Sequence, residues 1–392
     1  MPLHLSHLFH LFWTVYFAAI AAFALAGGAL CAIGLRQLPW LKHTEPVRRD
    51  HAPLISIIFA ARDEAEKLPA ALRTVLAQDY SNYEVVAVND RSRDATGDIL
   101  NQFARASNRL RVIDVTELPP GWLGKTHALD AGYRASRGEW LLFTDADVSF
   151  APDVLSRAIT LAEQRGWDHL TLIAGVEMHG VWEIAAISYF SLVFVAGNGI
   201  WHINRPWSRA YNGMGAFQLV RREAYERAGG HRRLALEVLD DMKLGKIIKL
   251  AGFRSGTGVG IDEVRVRWHA GLRNVIDGVT KNMFAAFGYS AAFACGAMLL
   301  PLAFSISTVL GAIFATGWAR GLAAIALASV LATHALCLVS VDRSPLWALT
   351  NPLGAILFDW MILRSMIVTL WQDGVKWRGT FYPLDELRKN VV

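Results

Sequence analysis

With 392 residues, 53% hydrophobic and only 19% charged, and a mean hydropathy of +0.29, the chain is too apolar for an ordinary soluble domain, where charged residues approach about a quarter. Its net charge of +5 (39 Lys and Arg against 34 Asp and Glu) comes without a concentrated basic stripe interleaved with aromatics, which argues against a nucleic-acid partner and suits a protein lying against anionic lipid. The three cysteines, Cys31, Cys295 and Cys337, all fall in apolar runs, so they read as packing residues and not as metal ligands or a disulfide framework.

Leu8 to Leu35 carries no Lys, Arg, Asp or Glu and is long enough to span a bilayer. Met1 to His10 has no Lys or Arg and no clear small-residue cleavage site follows, so the run reads as a retained anchor and not as a signal peptide. Arg36, Lys42, Arg48 and Arg49 follow it directly, which by the positive-inside rule puts the middle of the chain in the cytoplasm.

Between about Pro53 and Gly260 apolar strands alternate with helical stretches, the pattern of a mainly parallel α/β sheet. Leu54 to Ala60 reads as the first buried strand and Glu66 to Gln78 as a helix. Glu84 to Val88, Thr96 to Ser107 and Arg109 to Asp114 continue as strand, helix and strand. Lys125 to Ser136 is helical and leads into the strand Trp140-Leu141-Leu142-Phe143. Val181 to Ile203 is apolar and aromatic, and the pattern leaves core, interfacial helix and lipid groove open. Asn274 to Phe287 reads as a surface helix leading to the membrane.

Ser290 to Thr316 and Leu322 to Val341 have the length and composition of spanning helices. Leu346 to Trp371 contains Pro352, Asp359 and Arg364, costly in lipid unless paired or buried, so it reads as spanning or re-entrant. Three spans after the α/β region would put the tail outside, whereas its Lys376, Arg378, Arg388 and Lys389 argue for inside. The expected organisation is an anchor at 8–35, a cytoplasmic α/β domain at 50–286, a membrane region of two or three helices at 287–371, and a basic cytoplasmic or juxtamembrane tail at 372–392.

The chemistry concentrates at strand ends, where ligands bind in parallel α/β sheets. Thr144-Asp145-Ala146-Asp147 closes the Trp140 strand. Two carboxylates one residue apart repel unless a cation or proton separates them. A hard divalent ion, Mn²⁺ or Mg²⁺, shared with substrate phosphates resolves that repulsion and points to a nucleotide diphosphate. Glu64 follows the first strand and Asp90 the second, as acceptors for ribose or base, although Asp63 and Asp94 beside them also suit helix capping. In Gly121-Trp122-Leu123-Gly124-Lys125, a cation at a helix start suits a phosphate, without the spacing of a Walker loop. Asp240-Asp241 opens a further helix, as dipole-stabilised caps or as a general base for an acceptor hydroxyl. His269 reads as packing or as a late ligand.

Taken together, Ser56–Glu64, Ala77–Tyr80, Asn89–Thr96, Thr144–Asp147 and Asp240-Asp241 resemble the motifs of membrane-bound family 2 glycosyltransferases with a GT-A catalytic fold. The resemblance runs from about Leu54 to Lys281 and implies a GT-A nucleotide-diphospho-sugar transferase fold with helices on both faces of the sheet. It also implies Asp145 and Asp147 as metal ligands, Glu64, Asp90 and Lys125 as further donor-binding residues, and Asp241 as the base. Trp122 to Lys125 and Trp377-Arg378-Gly379-Thr380-Phe381-Tyr382 are similar to the ceramide-glucosyltransferase-like, hopanoid-associated and carotenoid members, which act on lipid acceptors. Asp240, Trp122, Arg267, Trp268, His269, Trp377 and Arg378 complete the candidate list.

The implied activity is metal-dependent, inverting transfer of one sugar, with UDP-sugar as donor, to a hydroxyl of a membrane lipid, in a bacterial-type inner or plasma membrane. The Gln-x-x-Arg-Trp of processive synthases is reduced to Arg267-Trp268, with Val264 in the Gln position, which argues against long-chain polymer synthesis. A polysaccharide or polyprenyl-phosphate sugar synthase is the alternative within the class, and a noncatalytic membrane scaffold the alternative outside it. The sequence leaves the oligomeric state open.

Overall fold

The computed structural model describes residues 2–46, 52–389 and 391–392. Arg48 and Arg49 of the basic cluster lie outside the described residues. The chain forms two compact units, an α/β unit of Leu38–Glu177, Ile200–Trp268 and Asp385–Val392, and a helical unit of Met1–Gln37, Met178–Gly199 and His269–Leu384. Residues 178–199 and 269–286, expected inside a 50–286 domain, cluster instead with the helical unit. The polypeptide therefore passes between units five times, after residues 37, 177, 199, 268 and 384.

The α/β unit is built on eight strands: β1 (Ile55–Ala61), β2 (Tyr83–Asp90), β3 (Leu110–Val115), β4 (Trp140–Phe143), β5 (Val148–Phe150), β6 (His169–Val176), β7 (Gln218–Arg221) and β8 (Ser255–Val266). Their order is β3-β2-β1-β4-β7-β6-β8-β5. The strands expected from the alternating pattern, β1 to β4, pair in parallel. Beyond β4 the sheet is mixed and not mainly parallel: β7 runs antiparallel to β4 and β6, and β5 to β8, while β6 and β8 are parallel. Between β6 and β7 the chain leaves the sheet for the Val181–Asn198 helix, without the crossover that would return it in the parallel sense.

Helices cover both faces, as expected. Ile57, Phe59 and Leu142 pack with Leu68, Leu72 and Leu100 in one cluster. Ile58, Val86 and Leu141 pack with Leu129, Leu244 and Ile247 in another. Each fully buried side chain of this kind contributes about 1.5–3 kcal/mol. Because β2 and β4 flank β1, the strand order reverses at β1/β4, and the ends of these strands form the crevice where open α/β sheets take ligands.

Among the described residues five helices are long and apolar enough to cross a membrane: His7–Leu35, Val181–His202, Ala291–Phe314, Gly317–Val339 and Pro345–Trp371. Val181–His202, left open by the sequence, is thus a span-length helix, and its Tyr189 ring lies 5.7 Å from that of Phe358. Two of the three awkward residues near the end of the chain, Pro352 and Arg364, have physical answers. Pro352 sits in the first turn of Asn351–Trp371, where no backbone N–H is missed. Arg364 donates to Asp277 (2.7 Å) and to Thr280 of the Leu272–Ala286 helix. The Asn351–Trp371 helix is continuous through Pro352 and Arg364. The Cys31 and Cys337 sulfurs stand 3.7 Å apart as buried free thiols, in line with a packing role.

Two histidines lie in the interior of the α/β unit. His169 on β6 joins β7 and β8, its Nε2 3.1 Å from Gln218 Oε1 and its Nδ1 3.3 Å from Ser255 Oγ. The Nδ1 of His231 lies 2.8 Å from the Tyr225 hydroxyl. Burial lowers their pKa values to about 4 and about 3, respectively. Below the ordinary histidine pKa near 6.5, the unfolded chain takes up protons that these folded-state rings refuse. Each therefore withdraws about 1.4 kcal/mol of stability per pH unit on acidification. Glu237 and Glu263, pushed up by burial, act in the opposite sense, so a difference between proteins isolates the histidine effect. Between pH 7 and 5, the unfolding midpoint of wild type is expected to fall more steeply than that of His231→Gln, and parallel curves from thermal scans would refute the assignment.

Candidate active site

The loops after β1 and β2 are laced together at the mouth of the crevice. Asp63 N–H donates to Ser92 Oγ (3.2 Å), Arg93 N–H to Asp63 Oδ1 (2.7 Å), Glu64 N–H to Thr96 Oγ1 (2.9 Å) and Ala65 N–H to Asp94 Oδ2 (3.0 Å). Asp63 (φ 53°) and Arg91 (φ 56°) are left-handed, a strained conformation for non-glycine residues, which the lacing holds. Asp94 keeps its capping role, since its Oδ1 accepts the N–H of Thr96 at the start of the Thr96–Ala106 helix (2.9 Å) while its Oδ2 laces to Ala65, whereas Asp63 accepts the Arg93 N–H and laces the loops. Glu64 is brought to this rim, and its carbonyl accepts the N–H groups of Lys67 and Leu68. Asp90 is buried at the end of β2, gripped by Arg91 Nε (2.7 Å) and Nη2 (3.0 Å).

Lys125 lies in the first turn of the Gly124–Ala135 helix, where the macrodipole disfavours a cation. Carboxylates offset this: Nζ is 2.9 Å from Asp145 Oδ1 and 3.6 Å from Asp240 Oδ2. Burial alone would lower the Lys125 pKa, but Asp145, Asp240 and Asp241 outweigh it and raise it, so the ammonium stays charged. The preceding loop is fixed by Leu123 N–H and Thr126 Oγ1, both 2.7 Å from Ala235 O. Trp122 packs edge-on against His127, with ring centroids 5.5 Å apart.

Asp240 and Asp241 open the Asp240–Leu250 helix. Asp241 Oδ2 accepts Gly215 N–H (2.9 Å) and Oδ1 accepts Met242 N–H (2.8 Å), which orients the carboxylate. The same helix is held from behind by residues near 392, where the Val392 carbonyl accepts from Lys243 and Lys246.

The Asn212-Gly213-Met214-Gly215 segment escaped the sequence reading. A β-carbon on Gly213 would collide with the Asp241 carbonyl oxygen, and one on Gly215 would lie 2.5 Å from Asp145 Oδ2. One short segment thus touches both acids. The only signal was a Gly-x-Gly spacing before β7, too common to single out.

Asp145 and Asp147 each face an ammonium, since Lys67 Nζ is 2.9 Å from Asp147 Oδ2. Among the described residues no group of three or more His, Cys, Asp or Glu is arranged for a metal. The partly exposed carboxylates supply hard oxygens of the kind Mg²⁺ or Mn²⁺ takes beside phosphate and water, on the side not occupied by Lys67 and Lys125, and do not form an all-protein cage.

Arg267, just after β8, donates to the Glu177 carbonyl (2.7 Å), followed by half-buried Trp268. His269, Trp377 and Arg378 belong to the helical unit. There the His269 ring packs against Gly278, and the Trp377 ring lies 4.2 Å from Lys281 Nζ.

Residues 56–227 match the family described as Glycosyl transferase family 2. They form a family 2 glycosyltransferase domain. The chain is 22% identical over 375 residues to the 4,4'-diaponeurosporenoate glycosyltransferase of Staphylococcus aureus strain N315, covering 94% of this chain and 97% of that one. It shares its fold with the mannosyltransferase PcManGT from Pyrobaculum calidifontis, solved in complex with GDP-Man and Mn²⁺ (TM-score 0.54, 20% identity, 92% of this chain and 99% of that one). The α/β unit is therefore of GT-A type, and the protein is a transferase. Gly215→Ala forces the Asp145 carboxylate aside. With misplacements of about 1 Å costing on the order of 10²-fold, kcat is expected to fall ~10–100-fold while the thermal midpoint stays near wild type. Unchanged kcat would separate Gly215 from the site.

Proposed function

We propose that this family 2 glycosyltransferase transfers a single sugar from a nucleotide sugar, a UDP-sugar in the first instance, to a hydroxyl of a membrane lipid. The observation that carries the reading is the joining of Asp145, Lys125, Asp240 and Asp241 around Gly215 at the strand-order reversal. In this reading Asp145 and Asp147 hold Mn²⁺ or Mg²⁺, which when bound neutralises the departing diphosphate. Lys125 adds a fixed positive charge at the same place. Asp241, oriented by two backbone N–H groups, takes the proton of the acceptor hydroxyl. The hydroxyl oxygen forms the new bond to the anomeric carbon as the bond to the nucleoside diphosphate breaks, a single displacement with inversion. Glu64 and Asp90, at the ends of β1 and β2, are assigned to the nucleoside.

Five span-length helices and the match to an enzyme named for 4,4'-diaponeurosporenoate support a lipid-like acceptor. Arg36 and Lys42 after the first helix support a cytoplasmic α/β unit.

The test is an assay of the membrane-embedded enzyme with lipid extract, Mn²⁺ and labelled donors, UDP-sugars and GDP-mannose among them. Label is expected in the organic phase, and Asp241→Asn is expected to lower kcat ~10²–10⁴-fold with donor binding retained. Label in an aqueous polymer would overturn the lipid acceptor. Full activity of Asp241→Asn would favour a phosphate acceptor, which needs no base.

A further inference from the structure

An open sheet has unpaired edges and does not enter hydrocarbon, so all segments of the α/β unit share one side of a bilayer. That constraint limits which span-length helices can cross. We propose that, of the four after the first, only Ala291–Phe314 and Gly317–Val339 cross, and that Val181–Asn198 and Asn351–Trp371 lie as a packed pair within the single leaflet on the side of the α/β unit. The proposal is independent of the transfer reaction.

Val181–Asn198 is the helix between β6 and β7, which are neighbours in one sheet. A lone helix that leaves one side and rejoins it has not crossed. The same count applies beyond β8. Trp268 and Asp385–Val392 both belong to the α/β unit, where the Val392 N–H donates to Glu237 Oε2 (3.2 Å). Residues 269–384 hold three span-length helices, and an odd number of crossings would leave the tail on the far side. One of the three therefore stays behind, which also removes the conflict between three spans and a basic tail.

Ala291–Phe314 and Gly317–Val339 form a back-to-back hairpin, suited to going out and returning. Arg320 Nε donates to Ala312 O across the turn (3.0 Å), and a β-carbon on Gly311 would lie 2.8 Å from Ala323 Cβ. Asn351–Trp371 has different neighbours. A β-carbon on Gly354 would lie 2.5 Å from Tyr189 Cβ, and the Phe358 ring is 5.7 Å from that of Tyr189 and 6.2 Å from that of Phe190. Farther along, the Ser365 hydroxyl accepts the Phe284 N–H (2.9 Å) and donates to Thr280 O on the Leu272–Ala286 helix. That helix has only 15 residues and carries Arg273 and Asp277, so it is too short and too charged to cross. Both halves of Asn351–Trp371 thus pack on helices that stay on one side.

Its middle points the same way. Asp359 Oδ1 is buried without a hydrogen-bond partner among the described residues, and Trp360 follows it, half exposed. In a crossing helix both would sit at the bilayer centre, where a carboxylate is costly and tryptophan is far from the interfacial belt. Ile356, Trp360, Ile367 and Trp371 are exposed at i, i+4, i+11 and i+15, one apolar stripe for the leaflet to cover.

The experiment is labelling of the full chain in sealed vesicles of either orientation with a membrane-impermeant maleimide, one new cysteine at a time, in a Cys31→Ala/Cys295→Ala/Cys337→Ala background. His179→Cys, Asn204→Cys and Ser344→Cys are expected to label from one side and Trp318→Cys from the other. His179→Cys opposite Asn204→Cys, Ser344→Cys opposite Asn204→Cys, or Trp318→Cys on the side of Asn204→Cys would each overturn the proposal. A spin label on Trp360→Cys is expected at leaflet depth accessible to a polar relaxant, and a label at the bilayer centre would overturn it too. Should the background not fold, wild type gives a further readout. Trypsin applied from the side away from the α/β unit is expected to leave the bond after Arg343 intact, and cleavage there would refute the arrangement.

Discussion

The site depends on one cation held between acids. Asp145 follows a sheet strand and Asp240 starts a distant helix, and like charges in such proximity separate unless something positive lies between them. Lys125, 2.9 Å from one and 3.6 Å from the other, removes that repulsion. It does so from a helix start where a cation is otherwise unwelcome, so its position is decided by its partners and not by its own helix. The loop that delivers it is pinned to Ala235, five residues before Asp240, so lysine and acid are positioned by a shared anchor.

Close approach of backbone completes what charge begins. Gly213 and Gly215 let the chain slide between Asp241 and Asp145, where a single methyl group would push one acid away. Glycine acts here by lacking an atom. The acids can therefore be oriented by main-chain donors, whose positions vary less than those of long side chains.

The legible part of the fold was the part with regular periodicity. β1 to β4 are short apolar runs ending in polar clusters, and Lys125, Asp145, Asp147 and Asp241 stood out because they follow one another in the order that the resembled motifs take. The second half of the sheet was not legible, since strand direction follows from where the intervening chain goes and leaves no residue pattern. Val181–Asn198 stayed ambiguous because a buried core helix and a membrane helix share the same composition. Asp63 misled in a related way: an acid that accepts a backbone N–H from a neighbouring loop has the same sequence neighbourhood as a helix cap. Gly213 and Gly215 could not be weighed, because what they permit depends on Asp145 and Asp241, far away in the chain.

The five passages between units also order events during synthesis. β6 emerges from the ribosome before the apolar Val181–Asn198 helix, and its two partners, β7 and β8, only after it. Until that helix has been made and accommodated, β6 has unpaired edges on both sides, the state in which strands associate wrongly. Synthesis of a span-length apolar helix thus precedes closure of the sheet, and Asp241, encoded beyond β7, cannot reach Asp145 before then. Asp145 and Asp241 are thus brought together only after two span-length apolar helices have been made.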